Sequence, residues 1–250
     1  MSDTVAPPTA TDHGTAWLTR VRMSPTDRAV QRDLRDAAAL HRRVMSLLPD
    51  GLGTRARSEA GVLFRVETEG TGSPELLVQS RLEPDLSKLP AGYSGAQVKS
   101  MSAMLAALRP GLTVRYRILG NAVRRCGRNS TEGRWKEVIP LHGEDAERWW
   151  AAKADAAGLA VLHNRSDPAE ALTAWHQAPE SDADRQPTGA TEKDGKRTKH
   201  VRVPHQPAKF EGTALVRDPE LLRAAVLNGV GRGKSYGCGL LSLAPGGAGV

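Results

Sequence analysis

The residues best suited to carry chemistry form a glycine-rich segment, Asn228-Gly-Val-Gly-Arg-Gly-Lys-Ser-Tyr-Gly-Cys-Gly-Leu-Leu-Ser-Leu243. Five glycines are interleaved there with basic and hydroxyl side chains. Because glycine has no side chain, its backbone N–H can come close to a phosphate and point at it. The segment therefore predicts a phosphate-binding loop, and its candidate contacts are Gly231, Arg232, Gly233, Lys234 and Ser235.

Two familiar nucleotide-binding loops do not fit this segment. A Walker-type loop has four residues between its first glycine and Gly-Lys-Ser, whereas Gly229 leaves only three and Asn228 stands where glycine is needed. A Rossmann loop follows a strand and opens a helix, whereas this segment follows a predicted helix and opens a predicted strand. A nucleotide-binding enzyme is therefore disfavoured, and a plain glycine-rich turn is the remaining alternative.

Histidine titrates near neutral pH and is the usual proton carrier in catalysis, so His41 is a second candidate. It stands among Leu40, Val44 and Met45 on a predicted helix, a setting more typical of a packed or surface histidine than of a catalyst. The five histidines after residue 140 show no ligand spacing beside carboxylates. We predict neither a metal site nor a cofactor.

A basic cluster precedes the glycine-rich segment. Its members are Lys193, Lys196, Arg197, Lys199, Arg202 and Lys209, and they are opposed only by Asp194. Alternation over Lys199–Pro204 predicts a basic hairpin arm that follows phosphates, with Lys199, Arg202 and Lys209 as contacts. A solvated loop is the alternative interpretation. Further arginines at positions 115, 117, 124, 125 and 128 would extend the same surface.

Composition agrees with a polyanionic partner. Lys and Arg outnumber Asp and Glu by 35 to 28, which gives a net charge of +7. An arginine-rich composition inherited from a GC-rich coding sequence is the alternative. Two isolated cysteines, Cys126 and Cys238, fit a reducing cytoplasm, and no apolar run has membrane-spanning length. We predict a disordered tail over residues 1–14, which are polar and rich in Pro and Thr.

A chain of 250 residues favours two domains, which we place at 15–109 and 110–250. The predicted elements of the first are strands at 17–23, 61–67 and 76–80 and helices at 37–47 and 94–108. Those of the second are strands at 112–119, 159–162, 210–216 and 240–243 and helices at 143–158 and 219–227, with a mobile loop within 167–198.

Both halves approximate the order strand, helix, two strands, helix, strand. This order predicts an α+β protein with two tandem ferredoxin-like domains. The first half is the weaker match, because its final strand is hard to locate.

The segment Asn228–Pro245 closely resembles the C-terminal glycine-rich loop of the type I-E CRISPR endoribonuclease family, often called CasE. Trp17–Arg22 is similar to that family's first strand, and Leu40–Pro49 to its first helix. Two shorter segments that fit are Arg115–Asn121 and Phe210–Gly212. The resemblance spans residues 15 to 245 and implies the same two ferredoxin-like domains.

The resemblance also implies a function. His41 stands where the family has its catalytic histidine, and Ala38 stands where some members have a tyrosine. The implied reaction is metal-independent cleavage of CRISPR repeat hairpin RNA through its own 2′-hydroxyl. Positive charge for its transition state would come from Arg42, Arg43, Lys234 or an arginine near Arg22, which the sequence does not rank.

The implied partners are the repeat RNA and the other subunits of a type I-E surveillance complex, with no membrane. The alternative is a non-catalytic RNA-binding subunit of the same fold, in which His41 is structural.

Overall fold

A computed structural model of the chain describes residues 15–53, 55–68, 72–131, 133–179 and 198–246. The elements of the first half are β1 (Trp17–Met23), α1 (Arg28–Arg35), α2 (Ala37–Met45), α3 (Ala56–Glu59), β2 (Leu63–Glu67), β3 (Glu75–Ser80), β4 (Tyr93–Ser100) and α4 (Ser102–Ala106). Its four strands form one antiparallel sheet in the order β2-β3-β1-β4.

The second half contains a matching sheet. Its elements are β5 (Thr113–Gly120), β6 (Val123–Arg125), β7 (Val138–Pro140), α5 (Gly143–Ala156), β8 (Leu159–Pro168), β9 (Leu172–Pro179), β10 (Thr198–His205), β11 (Ala208–Val216), α6 (Pro219–Asn228) and β12 (Ser242–Pro245). The main sheet is antiparallel in the order β12-β5-β11-β8. Two hairpins, β6-β7 and β9-β10, form separate two-stranded sheets and lie between the strands of the main sheet along the chain.

Both sheets have the strand order of a ferredoxin-like fold, in which the first and third strands lie at the centre. The predicted α+β class and tandem ferredoxin-like architecture are therefore confirmed. The second half has both crossover helices, α5 and α6. In the first half the second crossover carries only a 3₁₀ turn at Leu86–Lys88, which explains why that half matched the pattern poorly.

The helix predicted over 94–108 is wrong for most of its length. Residues 93–100 form the edge strand β4 instead, which hydrogen-bonds to β1, and only Ser102–Ala106 is helical. The apolar spacing of Val98, Met101 and Leu105 suggested a helix, but only the last two of these enter a core. Hydrogen bonding to β1 therefore outweighed the helical spacing of the apolar residues in this segment.

The region predicted as a loop within 167–198 was also partly wrong. β8 runs on to Pro168, and Leu172–Pro179 pairs along its whole length with Thr198–His205. The predicted basic strand at 199–204 is thereby confirmed as one arm of a hairpin. Residues 180–197, for which the loop was predicted most firmly, lie outside the described residues, as does the predicted tail at 1–14. The last strand begins later than predicted, at Ser242.

Two apolar cores lie beneath the two sheets. The first packs α2 on β2 and β3 through side chains such as Leu40, Val44 and Phe64. The second packs α5 and α6 on β5 and β11 around Trp150 and Phe210, both fully buried. Within the described ranges, no helix is long and apolar enough to cross a membrane.

A buried guanidinium connects β2 to the second half. Arg65 of β2 is only 3% exposed, and it donates hydrogen bonds to the carbonyl oxygens of Arg117 (3.3 Å) and Leu240 (2.9 Å) and to Ser242 Oγ (3.0 Å). It also donates two hydrogen bonds to Glu67, at 2.6 and 2.9 Å. Every donor of the side chain is therefore used, and three of the bonds cross from the first sheet to the second.

We predict that Arg65→Ala lowers the free energy of unfolding by about 3 to 5 kcal/mol, because two carbonyls and Glu67 Oε1 lose the donor that they share, and only Glu67 Oε2 keeps its ion pair with Arg117. Chemical denaturation measures this change. Arg20→Ala is the matched control, because Arg20 is half-exposed in a 3.9 Å ion pair with Glu75 and should cost less than about 1 kcal/mol. Equal losses in the two variants would contradict the role assigned to Arg65.

Candidate functional site

The glycine-rich segment folds as a series of left-handed turns after α6. Gly231 and Gly233, both predicted phosphate contacts, have φ values of +77° and +79°, which other residues adopt only with strain. Between Gly233 and Gly237 the chain makes one 3₁₀ turn, Lys234–Tyr236. The backbone therefore has the conformation that the glycines predicted.

The 3₁₀ turn packs against α2 and β2 of the first half. At Gly229 the contact is too close for a side chain, because a Cβ there would lie 2.6 Å from Leu63. At Gly237 a Cβ would lie in ordinary contact with the Phe64 ring, at 3.4 Å. Two adjacent residues of β2 therefore hold the segment at both of its ends. This packing brings Lys234 of the second half to the helix that carries His41.

His41 lies in the middle of α2, which begins after Asp36 because the Asp36 carboxylate accepts the backbone N–H of Ala38 at 3.0 Å. Its imidazole is partly buried and stacks on Phe64, with ring centroids 6.2 Å apart. The Nδ1 atom is buried and has no hydrogen-bond partner in the described part of the chain. No protein group therefore fixes which ring nitrogen carries the proton.

Positive charge surrounds this imidazole. Burial, and then the charges of Arg57 and Arg42, lower the pKa of His41 below its ordinary value of 6.5. Burial and then Arg57 also lower the pKa of Lys234. Arg57 therefore lies within electrostatic range of both groups, and Lys234 forms no ion pair with any described carboxylate. Three basic groups meet here without a counter-ion, which is the arrangement expected of a phosphate site.

Arg57, on α3, was missed in the sequence. It sits in a short polar stretch without periodicity or motif, so nothing in the local pattern distinguishes it from Arg55, which is 83% exposed and paired with Glu59. Its position in the folded chain, where its charge acts on both His41 and Lys234, reveals its role. Its guanidinium donates a hydrogen bond to the Val62 carbonyl at 3.3 Å.

The structure distinguishes among the other basic residues that were candidates to stabilise the transition state. Arg43 is paired at 2.9 Å with the buried Asp33, which also accepts a hydrogen bond from the Tyr93 hydroxyl. Arg43 is therefore structural. Arg42 is exposed and reaches Asp36 at 3.4 Å. Lys234 is left as the cation best suited to hold a phosphate beside His41.

Ala38, in place of the tyrosine of some family members, has a structural explanation. It is only 7% exposed, and it packs with Ala37 against Ala174 of β9. A phenol at this position would overlap the strand. The same contact is fixed by Asp36, whose Oδ1 accepts the backbone N–H of Trp175 at 3.1 Å in addition to the helix cap. The β9-β10 hairpin is thus seated directly on the helix of His41.

The remaining predicted residues surround this site. Lys199 and Arg202 lie on β10, paired in register with Ala178 and Trp175. Arg232 is exposed and Ser235 partly buried in the glycine-rich turn.

Lys209 lies on β11 and pairs with Glu211 at 2.8 Å. It lines a cleft of about 520 Å³ between the two halves, together with Phe64, Tyr236 and residues 167–173.

Two features bear on metal chemistry and on the cysteines. No three His, Cys, Asp or Glu side chains come together as a metal site anywhere in the described ranges. Cys126 and Cys238 are both buried and free.

Comparisons with known proteins identify the family. Residues 16–245 match the model of a family described as CRISPR associated protein. The CRISPR-associated endoribonuclease Cse3 of Thermus thermophilus is 32% identical over 231 residues, which cover 92% of this chain and all of that protein.

Solved structures agree. Thermus thermophilus Cse3 bound to an RNA representing a pre-cleavage complex has a TM-score of 0.68 at 26% identity, covering 92% of this chain and 100% of that one. A chain of a CRISPR RNA-guided surveillance complex, in a pre-nicking state, has a TM-score of 0.60 at 33% identity, covering 92% and 99%. The chain therefore belongs to the family of CRISPR-associated proteins that includes the endoribonuclease Cse3, as its resemblance to known sequences predicted.

Proposed function

We propose that this protein is a metal-independent endoribonuclease that binds CRISPR repeat hairpin RNA and cleaves precursor CRISPR RNA. The observation that carries the proposal is the packing of the glycine-rich turn, with Lys234, on α2, with His41, where Arg57 adds charge and no carboxylate of the described residues pairs with Lys234. The relative Cse3, itself an endoribonuclease, supports the substrate class.

The proposed reaction is a transesterification. The 2′-oxygen of the RNA forms a bond to the adjacent phosphorus while the bond to the 5′-oxygen breaks, which leaves a 2′,3′-cyclic phosphate and a 5′-hydroxyl. His41, neutral at pH 7 because its pKa is lowered, accepts the proton of the 2′-hydroxyl. Lys234 and Arg57 stabilise the dianionic phosphorane, and Lys234 donates a proton to the departing 5′-oxygen.

RNA binding uses two surfaces in this proposal. The glycine-rich turn, with Gly231, Arg232, Gly233 and Ser235, contacts phosphates near the cut. Lys199 and Arg202 of the β9-β10 hairpin contact the phosphates of the stem. Lys209 of β11 contacts the same phosphates. Because β9 packs on α2, a bound stem is held against the catalytic helix.

We infer further that the protein keeps its cleaved RNA and joins the other subunits of a surveillance complex in the cytoplasm. A similar chain forms part of the structure of an RNA-guided surveillance complex, which supports this partner.

The first prediction separates catalysis from binding. His41→Ala should slow single-turnover cleavage of a repeat hairpin by roughly two to four orders of magnitude, since a general base is lost. RNA affinity should stay within a few fold. Cleavage by the intact protein should persist in chelator and fail when the 2′-hydroxyl at the cut is replaced by hydrogen.

The matched control is Arg28→Ala, which removes an exposed basic side chain of the neighbouring helix α1. Cleavage by His41→Ala at the normal rate would support the alternative, an RNA-binding subunit in which this histidine is structural. Loss of activity in chelator would exclude the proposed mechanism.

The second prediction concerns pH. A general base works when neutral, so the rate should fall with acid as His41 becomes protonated, and the midpoint should lie below 6.5. The constant kcat/KM reports the free enzyme. Arg57→Gln removes a charge that lowers this pKa and should move the midpoint upward, whereas Arg55→Gln, two residues away and exposed, should leave it unchanged. A midpoint that responds to neither variant would contradict the role of Arg57.

The third prediction concerns the hairpin. Charge reversal of Lys199 and Arg202 should weaken RNA binding and flatten its dependence on salt, by roughly one unit of slope for each lost phosphate contact. Reversing Lys99 and Lys153, which are exposed elsewhere, changes the net charge equally and is the control. If both double variants alter the slope alike, the hairpin has no specific part in binding.

A further inference from the structure

The β6-β7 hairpin is a strongly basic projection that the proposed function does not use. Its exposed basic side chains are Arg124, Arg125, Arg128, Arg134 and Lys136. Among the described residues of this hairpin, Glu137 is the one acidic side chain, and its carboxylate accepts the backbone N–H of Arg134 at 2.7 Å. The surface therefore suits a polyanion.

An exposed indole stands in the middle of this charge. Trp135 is 53% exposed, the largest exposed fraction among the large hydrophobic side chains that the structure describes. The guanidinium of Arg128 lies 5.1 Å and the ammonium of Lys136 4.0 Å from the centre of its ring. An aromatic face flanked by cations is how proteins hold an unpaired base together with its phosphates.

Lys136, whose ammonium lies over the Trp135 ring, has an unfavourable backbone conformation. Its φ is +67°, the one positive value found at a described residue other than glycine. Arg134 to Glu137 form a turn closed by a 2.9 Å backbone hydrogen bond, and glycine is the residue that such a turn favours at position 136. Lysine stands there instead, with its ammonium over the indole. Strain of this kind is typical of functional positions.

The hairpin begins beside the glycine-rich turn. Asn121, two residues before β6, lies against Gly233, where a Cβ would be 3.4 Å from the Asn121 amide nitrogen. The base of the hairpin is closed by a 2.8 Å hydrogen bond from the Leu141 N–H to the Ala122 carbonyl. An RNA whose cleaved phosphate lies at Lys234 therefore has the hairpin next to its path.

We propose that the β6-β7 hairpin binds unpaired nucleotides that flank the repeat stem, with a base stacked on Trp135 and the adjoining phosphates on Arg128 and Lys136. Bases inside a stem are already stacked on one another, so an exposed indole selects an unpaired one. This inference rests on the proposed function, because it assumes the same RNA.

The test uses two uncleavable RNAs with a 2′-deoxy nucleotide at the cut: the stem-loop alone, and the stem-loop with its unpaired flanks. Trp135→Ala should weaken binding of the flanked RNA roughly tenfold, as expected for one lost stacked base, and leave the stem-loop unaffected. Trp135→Phe keeps an aromatic face and should restore most of the affinity. Leu221→Ala, which removes another exposed apolar side chain, is the control.

A second variant excludes misfolding as the cause. Lys136→Gly relieves the backbone strain, so its melting temperature should be equal to or above that of the original protein, yet it should bind the flanked RNA more weakly. Equal losses on both RNAs, or no loss on either, would overturn the inference, and the second result would point to a protein partner for this surface. If the unmodified protein binds neither RNA, the proposed function itself fails.

Discussion

The close packing of the glycine-rich segment on β2 is the constraint on which the candidate site depends. Three consecutive residues of this strand make the contact: Leu63 against Gly229, Phe64 against Gly237, and Arg65 through its hydrogen bond to the Leu240 carbonyl. Phe64 also stacks on His41. One short strand thus fixes the helix of His41 on one side and the glycine-rich turn on the other. The site lies where the two ferredoxin-like halves meet, and neither half contains it alone.

The electrostatics of the site follow from this position. Bringing Lys234 of the second half to Arg57 and His41 of the first places like charges close together in a partly buried setting, which lowers the pKa of both titrating groups. In the proposed function, a bound phosphate relieves this repulsion. The same lowering keeps His41 neutral, which is the state that accepts a proton. In the proposed function, substrate binding and base catalysis therefore depend on the same three groups, His41, Arg57 and Lys234.

The sequence predicted those parts of the molecule that local chemistry controls. Asp36 and Asp218 mark the starts of the predicted helices α2 and α6, because their carboxylates accept the first backbone N–H groups of each helix. The glycines predicted a loop after α6, and the structure shows that several of them have positive φ. The family resemblance singled out His41. What could not be predicted depends on contacts between distant segments: the edge strand β4 and the role of Arg57. The short helix α1 was missed although Asp27 caps it locally. Trp135 is flanked by Arg134 and Lys136 in the sequence, but the exposure of its ring and the approach of Arg128 depend on the folded hairpin.

The central claim is that the cleaved phosphate lies between α2 and the glycine-rich turn. A crystal structure of the protein with a repeat hairpin carrying a 2′-deoxy nucleotide at the cut tests it most directly. The account predicts the scissile phosphate in contact with Lys234, and the ribose carbon that would carry the 2′-hydroxyl facing the His41 imidazole. A phosphate bound away from both residues, with the hairpin RNA otherwise well ordered, would contradict it.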